Sequence, residues 1–195
     1  AAAMTLGQEG KALCDYRVLS AAGCLVISDD GKAVADAGLM RDVLRKAKKY
    51  NLLPMCHSDD PAVIRGGAMN EGETAKALGL PGNPKVAEEI VVIRDILLAE
   101  SVDARVHISH VSSGKSVGLI REAKARGAKV TCETGPHYIS LTEEAVAARG
   151  ADAKMNPPLR TGEDVAALIE GLQDGTVDCI ATDHAPHTPT EKAVG

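Results

Sequence analysis

The sequence predicts an α/β fold of repeated β/α units around a parallel sheet: a (β/α)8 TIM-type barrel, present here as about six consecutive units. Three observations predict it. Short continuous apolar runs alternate with stretches of helical period. Nearly every run ends in a titratable residue, while the run interiors are almost free of them. No G-x-G-x-x-G or G-x-x-x-x-G-K-[ST] follows any run, and a doubly wound sheet is expected to carry a phosphate loop after its first strand.

The strand candidates, in order, are "AAAMT" (1–5), "CLVIS" (24–28), "LLPMCH" (52–57), "RVHISH" (105–110), "KVTCE" (129–133) and "DCIAT" (178–182). They are continuous rather than alternating, as parallel strands covered on both faces are. Between them, Met40, Val43, Leu44 and Ala47 recur at helical spacing behind Asp36, a candidate N-cap. Val86, Ile90, Ile93 and Leu97 form a second stripe. Val165, Leu168, Ile169 and Leu172 form a third, with Thr161 and Asp164 as a capping pair. The helices before the fifth and sixth runs stop at "ARG" (125–127) and "QDG" (173–175). "GLPGNP" (79–84) reads as a loop, and the prolines of "MNPPLR" (155–160) forbid helix there.

Bulk properties narrow the function. A net charge of −5 and a pI of about 5.7, with no basic stripe, exclude nucleic acid as an expected partner. No apolar run approaches the ~20 residues that span a bilayer, and no signal-peptide pattern is visible. Five cysteines, an odd number, read as small buried hydrophobes in a reducing compartment.

The chemistry gathers at the strand ends. Asp29 and Asp30 follow the second run; His57, Asp59 and Asp60 the third; His110 the fourth; His137 the fifth; Asp183, His184 and His187 the sixth. Any one of these is ordinarily a turn, a cap or a hydrogen-bonded loop residue. Several converging on one barrel mouth are not. Histidine with carboxylate and no cysteine pair suits zinc or another borderline divalent metal. His107 and His110 cannot both face one site along an extended strand, and His110 lies at the mouth. Cys56 points away from its neighbour His57 for the same reason. His184 and His187 remain open alternatives.

"VISDDG", "MCHSDD", "HISHVSS", "CETGPHY", "KMNPPLR" and "ATDHAPHT", in that order, resemble the class I dihydroorotases of the amidohydrolase superfamily. The resemblance runs over essentially the whole chain and implies one partial metal-dependent amidohydrolase barrel domain over 1–195. It implies reversible interconversion of L-dihydroorotate and N-carbamoyl-L-aspartate in cytoplasmic de novo pyrimidine synthesis, by a metal-bound hydroxide. Carried over by position, Asp30 is the carboxylate bridging two Zn2+ ions. His57 and His110 are ligands of one zinc. Asp183 is a ligand of the other and the proton-transfer residue, and Asn156 and His187 are substrate contacts. Hydantoinases, which are related, bridge their metals with a carboxylated lysine; "CLVISDD" offers aspartate and no lysine.

The family's His-x-His and nearby substrate-binding arginine have no counterpart in the chain, which opens on "AAAMTLG", like a middle strand, and stops soon after "HAPHTPTEK". The expectation is therefore an internal piece of a longer enzyme, with one of its two zinc sites incomplete. The partners implied are a small-molecule substrate and a second copy or aspartate transcarbamoylase, with no nucleic acid and no membrane. Two alternatives stand beside this reading: an allantoinase-like cyclic amidohydrolase, and a catalytically inactive dihydroorotase-like subunit that serves aspartate transcarbamoylase as a structural partner.

Overall fold

In a computed structural model, which describes residues 1–192, the strands of the main sheet lie side by side in the order in which the chain makes them, and the short strands Met69–Asn70 and Gly82–Asn83 form a separate two-stranded sheet. Residues 193–195 of the expected domain lie outside the described residues. The elements are α1 (Tyr16–Ala21), β1 (Val26–Ile27), α2 (Ala37–Lys49), β2 (Leu53–Cys56) and α3 (Pro61–Ile64). Then come β3 (Met69–Asn70), α4 (Glu73–Leu78), β4 (Gly82–Asn83), α5 (Val86–Val102), β5 (Val106–Ile108) and α6 (Gly114–Ala125). Last are β6 (Val130–Thr134), α7 (Glu144–Arg149), α8 (Gly162–Gln173), β7 (Cys179–Ile180) and α9 (Pro189–Lys192).

The main sheet runs β1-β2-β5-β6-β7, every pair parallel, with Val26 opposite Leu53, Met55 opposite His107, His107 opposite Thr131 and Glu133 opposite Cys179. The first apolar run adds a sixth position beside β1 through one parallel bridge, Ala2 to Ile27. A doubly wound sheet reverses its strand order at a switch point. This sheet never does, which is the order of a barrel wall.

Beyond that bridge the first run turns away from β1, and Thr5 makes an antiparallel bridge to Leu13. Its next amides turn to a side chain: Met4 N and Thr5 N donate to Asp29 Oδ1 at 2.8 and 3.1 Å. Buried Asp29 thus closes the turn onto the neighbouring strand and leaves Asp30 to face the mouth.

Helix α2 buries the expected stripe Met40, Val43, Leu44 and Ala47, and Asp36 accepts from Leu39 N at 2.6 Å. Helix α8 begins with the expected Thr161–Asp164 capping box. Gly127 and Gly175 end their helices at φ 89° and 78°, where a side chain would be strained.

Helix α5 corrects the sequence reading. Its inner face is Ala87, Val91, Val92, Ile96 and Ala99, whereas Val86, Ile90 and Leu97 are exposed. The helix is apolar on nearly every side, so two stripes of the same period compete. The polar residues that mark the inner face, Glu88 and Asp95, are buried against partners rather than hydrated. Residues 61–84 hold a second correction. "GLPGNP" is not merely a loop: Gly82 and Asn83 form β4 and pair in parallel with Met69 and Asn70. Two-residue strands carry no readable period. Cysteine usage is a third. Cys56 and Cys132 are buried, but Cys179 is exposed with Ile180 on β7, which has one neighbour.

Candidate functional site

Parallel strands in chain order deliver their C-terminal ends to one rim. Asp30 follows β1, His57 follows β2 and His110 follows β5. The structure brings these three together, with one ligand atom from each lying within 4.8 Å of the others. His57 Nδ1 is 2.9 Å from His110 Nε2, and Asp30 Oδ1 is 3.8 Å from the same nitrogen. Both histidines are buried, and Asp30 is the open side of the cluster.

Burial and the neighbouring His110 push the His57 imidazole down to about 4, so it is neutral at pH 7. Burial pulls His110 down too, but Asp30 and the charge of Asp183 outweigh it and hold His110 above its ordinary range. The contact with His110 holds the Asp30 carboxyl low. Two imidazole nitrogens and a carboxylate oxygen converging at this spacing fit a borderline divalent cation. His107 stands apart, with Nδ1 2.8 Å from Thr131 Oγ1 and Nε2 3.2 Å from Glu133 Oε2.

Asp183 follows β7 at φ 46° and is not part of the 4.8 Å group. Its charge nevertheless acts on His110 and His137 across the mouth. It lines a cavity of about 500 Å3 together with His137, Tyr138, Asn156, His184 and His187. Asn156 also reaches the cluster, its Nδ2 3.5 Å from His57 Nε2. His187 is exposed, 4.0 Å from Glu191 Oε2 on α9. His184 and His187 therefore share one cavity wall. Asp60 proves to be a cap, accepting from Ala62 N at 2.9 Å at the start of α3.

Sequence reasoning missed the buried polar groups behind the rim. Glu88, 1% exposed, accepts from Ser112 N and Ser113 N. Arg160, 2% exposed, donates to Ser112 Oγ, Asn70 Oδ1 and Asn83 O. Arg160 lies inside "MNPPLR" and had that signal. Glu88, on a helix, had none.

Residues 1–116 match the dihydro-orotase-like family. Over 192 residues the chain is 53% identical to the dihydroorotase of Desulforapulum autotrophicum and 52% identical to that of Geotalea daltonii. Each alignment covers 98% of this chain and 45% of the relative, so the chain spans under half the length of these proteins. Among solved structures it is similar in fold to the L-hydantoinase (dihydropyrimidinase) from Arthrobacter aurescens. There the TM-score is 0.79 at 23% identity, over 91% of this chain and 42% of that one. It is also similar to the dihydroorotase from Saccharomyces cerevisiae in complex with 5-fluoroorotic acid, with a TM-score of 0.70 at 16% identity over 91% and 50%. A barrel wall in chain order, a His–His–Asp cluster at its rim and a family match over more than half of the residues lead to one conclusion: the chain belongs to the dihydro-orotase-like family.

Proposed function

We propose that this chain supplies the cation-binding and proton-transfer part of a dihydroorotase active site, which interconverts L-dihydroorotate and N-carbamoyl-L-aspartate. The observation that carries the reading is the convergence of Asp30, His57 and His110 from three units of one sheet. The relatives named dihydroorotase support the substrate. We place the activity in cytoplasmic de novo pyrimidine synthesis, with a second copy or aspartate transcarbamoylase as the protein partner.

Zinc is the cation that the donor set suits best. Asp30, His57 and His110 would hold one ion, and Asp30 with Asp183 would contribute to a second. Such a cation, when bound, lowers the pKa of water and polarises a carbonyl. His57, neutral at pH 7, has no proton to lose before it can donate a lone pair. Asp183 takes a proton from the attacking water at its carboxylate and passes it to the departing ring nitrogen; ring closure runs the same transfer backwards. Asn156 and His187 orient the substrate from the cavity wall.

The test uses the longer gene product that contains this sequence. Its zinc content is measured, then turnover of L-dihydroorotate in both directions, beside hydantoin and allantoin. Turnover of dihydroorotate alone is expected. A zinc-loaded protein that opens allantoin or hydantoin and not dihydroorotate overturns the substrate. A zinc-loaded protein without turnover favours the structural-subunit alternative, and co-purification with aspartate transcarbamoylase would then test it.

A further inference from the structure

His110 is held in a conformation that its own backbone disfavours. Its φ is 38°, in the left-handed region that non-glycine residues rarely occupy, so the surroundings must impose it. Around it the amides are pinned one after another. Ser109 N donates to Cys56 O at 3.1 Å and Val111 N to Glu133 O at 2.8 Å. Ser112 N and Ser113 N donate to the Glu88 carboxylate at 3.2 and 3.0 Å, and Gly114 N donates to Asp164 Oδ1 at 3.0 Å. The Ser112 hydroxyl also donates to Glu88 and accepts from Arg160 Nε at 3.1 Å.

Arg160 joins this loop to two other pieces. Its Nη1 donates to Asn70 Oδ1 at 3.0 Å on β3 and to Asn83 O at 2.8 Å on β4. Four residues earlier in its own segment stands Asn156, beside His57 Nε2. The same segment is tied from the other side by Tyr138 Oη, which donates to Pro157 O at 2.7 Å. Glu88, Ser112 and Arg160 are all buried, so the bonds among these three are shielded from water.

We infer that Glu88 and Arg160 are positioning residues. Through Ser112 they set the His110 ring and the Asn156 amide against His57, and so set the cation affinity of the cluster. The inference rests on the proposed reading of Asp30, His57 and His110 as ligands. Supporting groups behind metal ligands are typically worth 10–100-fold in affinity. A network that serves only the fold would change stability and leave the affinity alone.

The experiment titrates the longer gene product that contains this sequence with Co2+ and follows the visible ligand-field spectrum, together with the ring 15N shifts of His57 and His110. Glu88→Gln keeps the shape but loses an acceptor. Ser112→Ala removes only the bridging hydroxyl and carries the test if Glu88→Gln does not fold. Val43→Ala, in the α2 core, is the destabilised control. Expected is a 10–100-fold loss of Co2+ affinity with an altered spectrum in Glu88→Gln and Ser112→Ala, and wild-type affinity in Val43→Ala. Variants that fold and bind within about twofold of wild type, with the wild-type spectrum, overturn the inference alone, as does an equal loss in Val43→Ala. A wild-type chain that binds no Co2+ sinks the ligand reading, and the inference falls with it.

Discussion

Asp95 is the buried acid whose removal should strengthen the fold. It lies on the inner face of α5, 2% exposed, next to Cys56 and lining one small cavity with His57. Arg94 reaches its Oδ1 at 2.8 Å. Burial outweighs that partner and raises the carboxyl from 3.8 to about 6. The native state therefore disfavours the ionised form. The cost is full above pH 6, shrinks as the pH falls through the folded value, and is gone below the unfolded value near 3.8. The shift corresponds to about 3 kcal/mol at pH 7. Asp95→Asn removes the charge, keeps an oxygen for Arg94, and does not strand the guanidinium, which also donates to Ala35 O. Urea unfolding at a series of pH values is the assay. Asp95→Asn should be more stable at pH 7 by up to about 3 kcal/mol, with the gap closing towards pH 4. A variant less stable at pH 7, or a gap that ignores pH, refutes the argument that desolvation beats the ion pair here.

Three further expectations concern the mouth. In the full-length parent, Asp183→Asn should cut turnover by about 10²–10⁴-fold, the usual worth of a positioned proton carrier, while zinc content at Asp30, His57 and His110 stays the same. Near-normal kcat would remove Asp183 from the proton path. His57→Ala takes one of three candidate ligands from the one such cluster among the described residues; equilibrium dialysis should show zinc held at that cluster falling to little or none. Gly135→Ala places a Cβ 2.4 Å from His137 Cε1, with the imidazole folded directly over the glycine. The ring must swing towards the cavity, and in the parent the KM for dihydroorotate should rise by roughly tenfold, about 1.4 kcal/mol, at constant zinc content. An unchanged KM with a displaced ring would show that His137 stands clear of the substrate.

What the sequence could say depended on whether a residue's role was local. The Asp36 cap, the Thr161–Asp164 box and the glycine stops at 127 and 175 depend on neighbours within a few positions, and they were legible. The strand ends were legible too, because each is a run followed by a charge, and the rim that gathers Asp30, His57 and His110 follows from parallel order. Glu88 was not. Its partners are 24 and 25 residues away, and a glutamate on a helix ordinarily faces water. The phase of α5 failed because Val86, Ile90 and Leu97 looked like a core face, whereas the true face contains two buried acids, Glu88 held by distant amides and Asp95 by the adjacent Arg94. The short β3–β4 pair left no period at all.

A wall of strands laid down in chain order also has a consequence in time. Asp30, His57 and His110 come from consecutive places in the sheet, and the loop that holds His110 is fastened by Glu88, which precedes it. Asp183 comes from the last of the strands. At ribosomal speeds of about 5–20 residues per second, Asp183 is made roughly 4–15 s after His110. During that interval the nascent chain already carries all three side chains of the cluster, and the carboxylate on the far side of the mouth has not yet been synthesised.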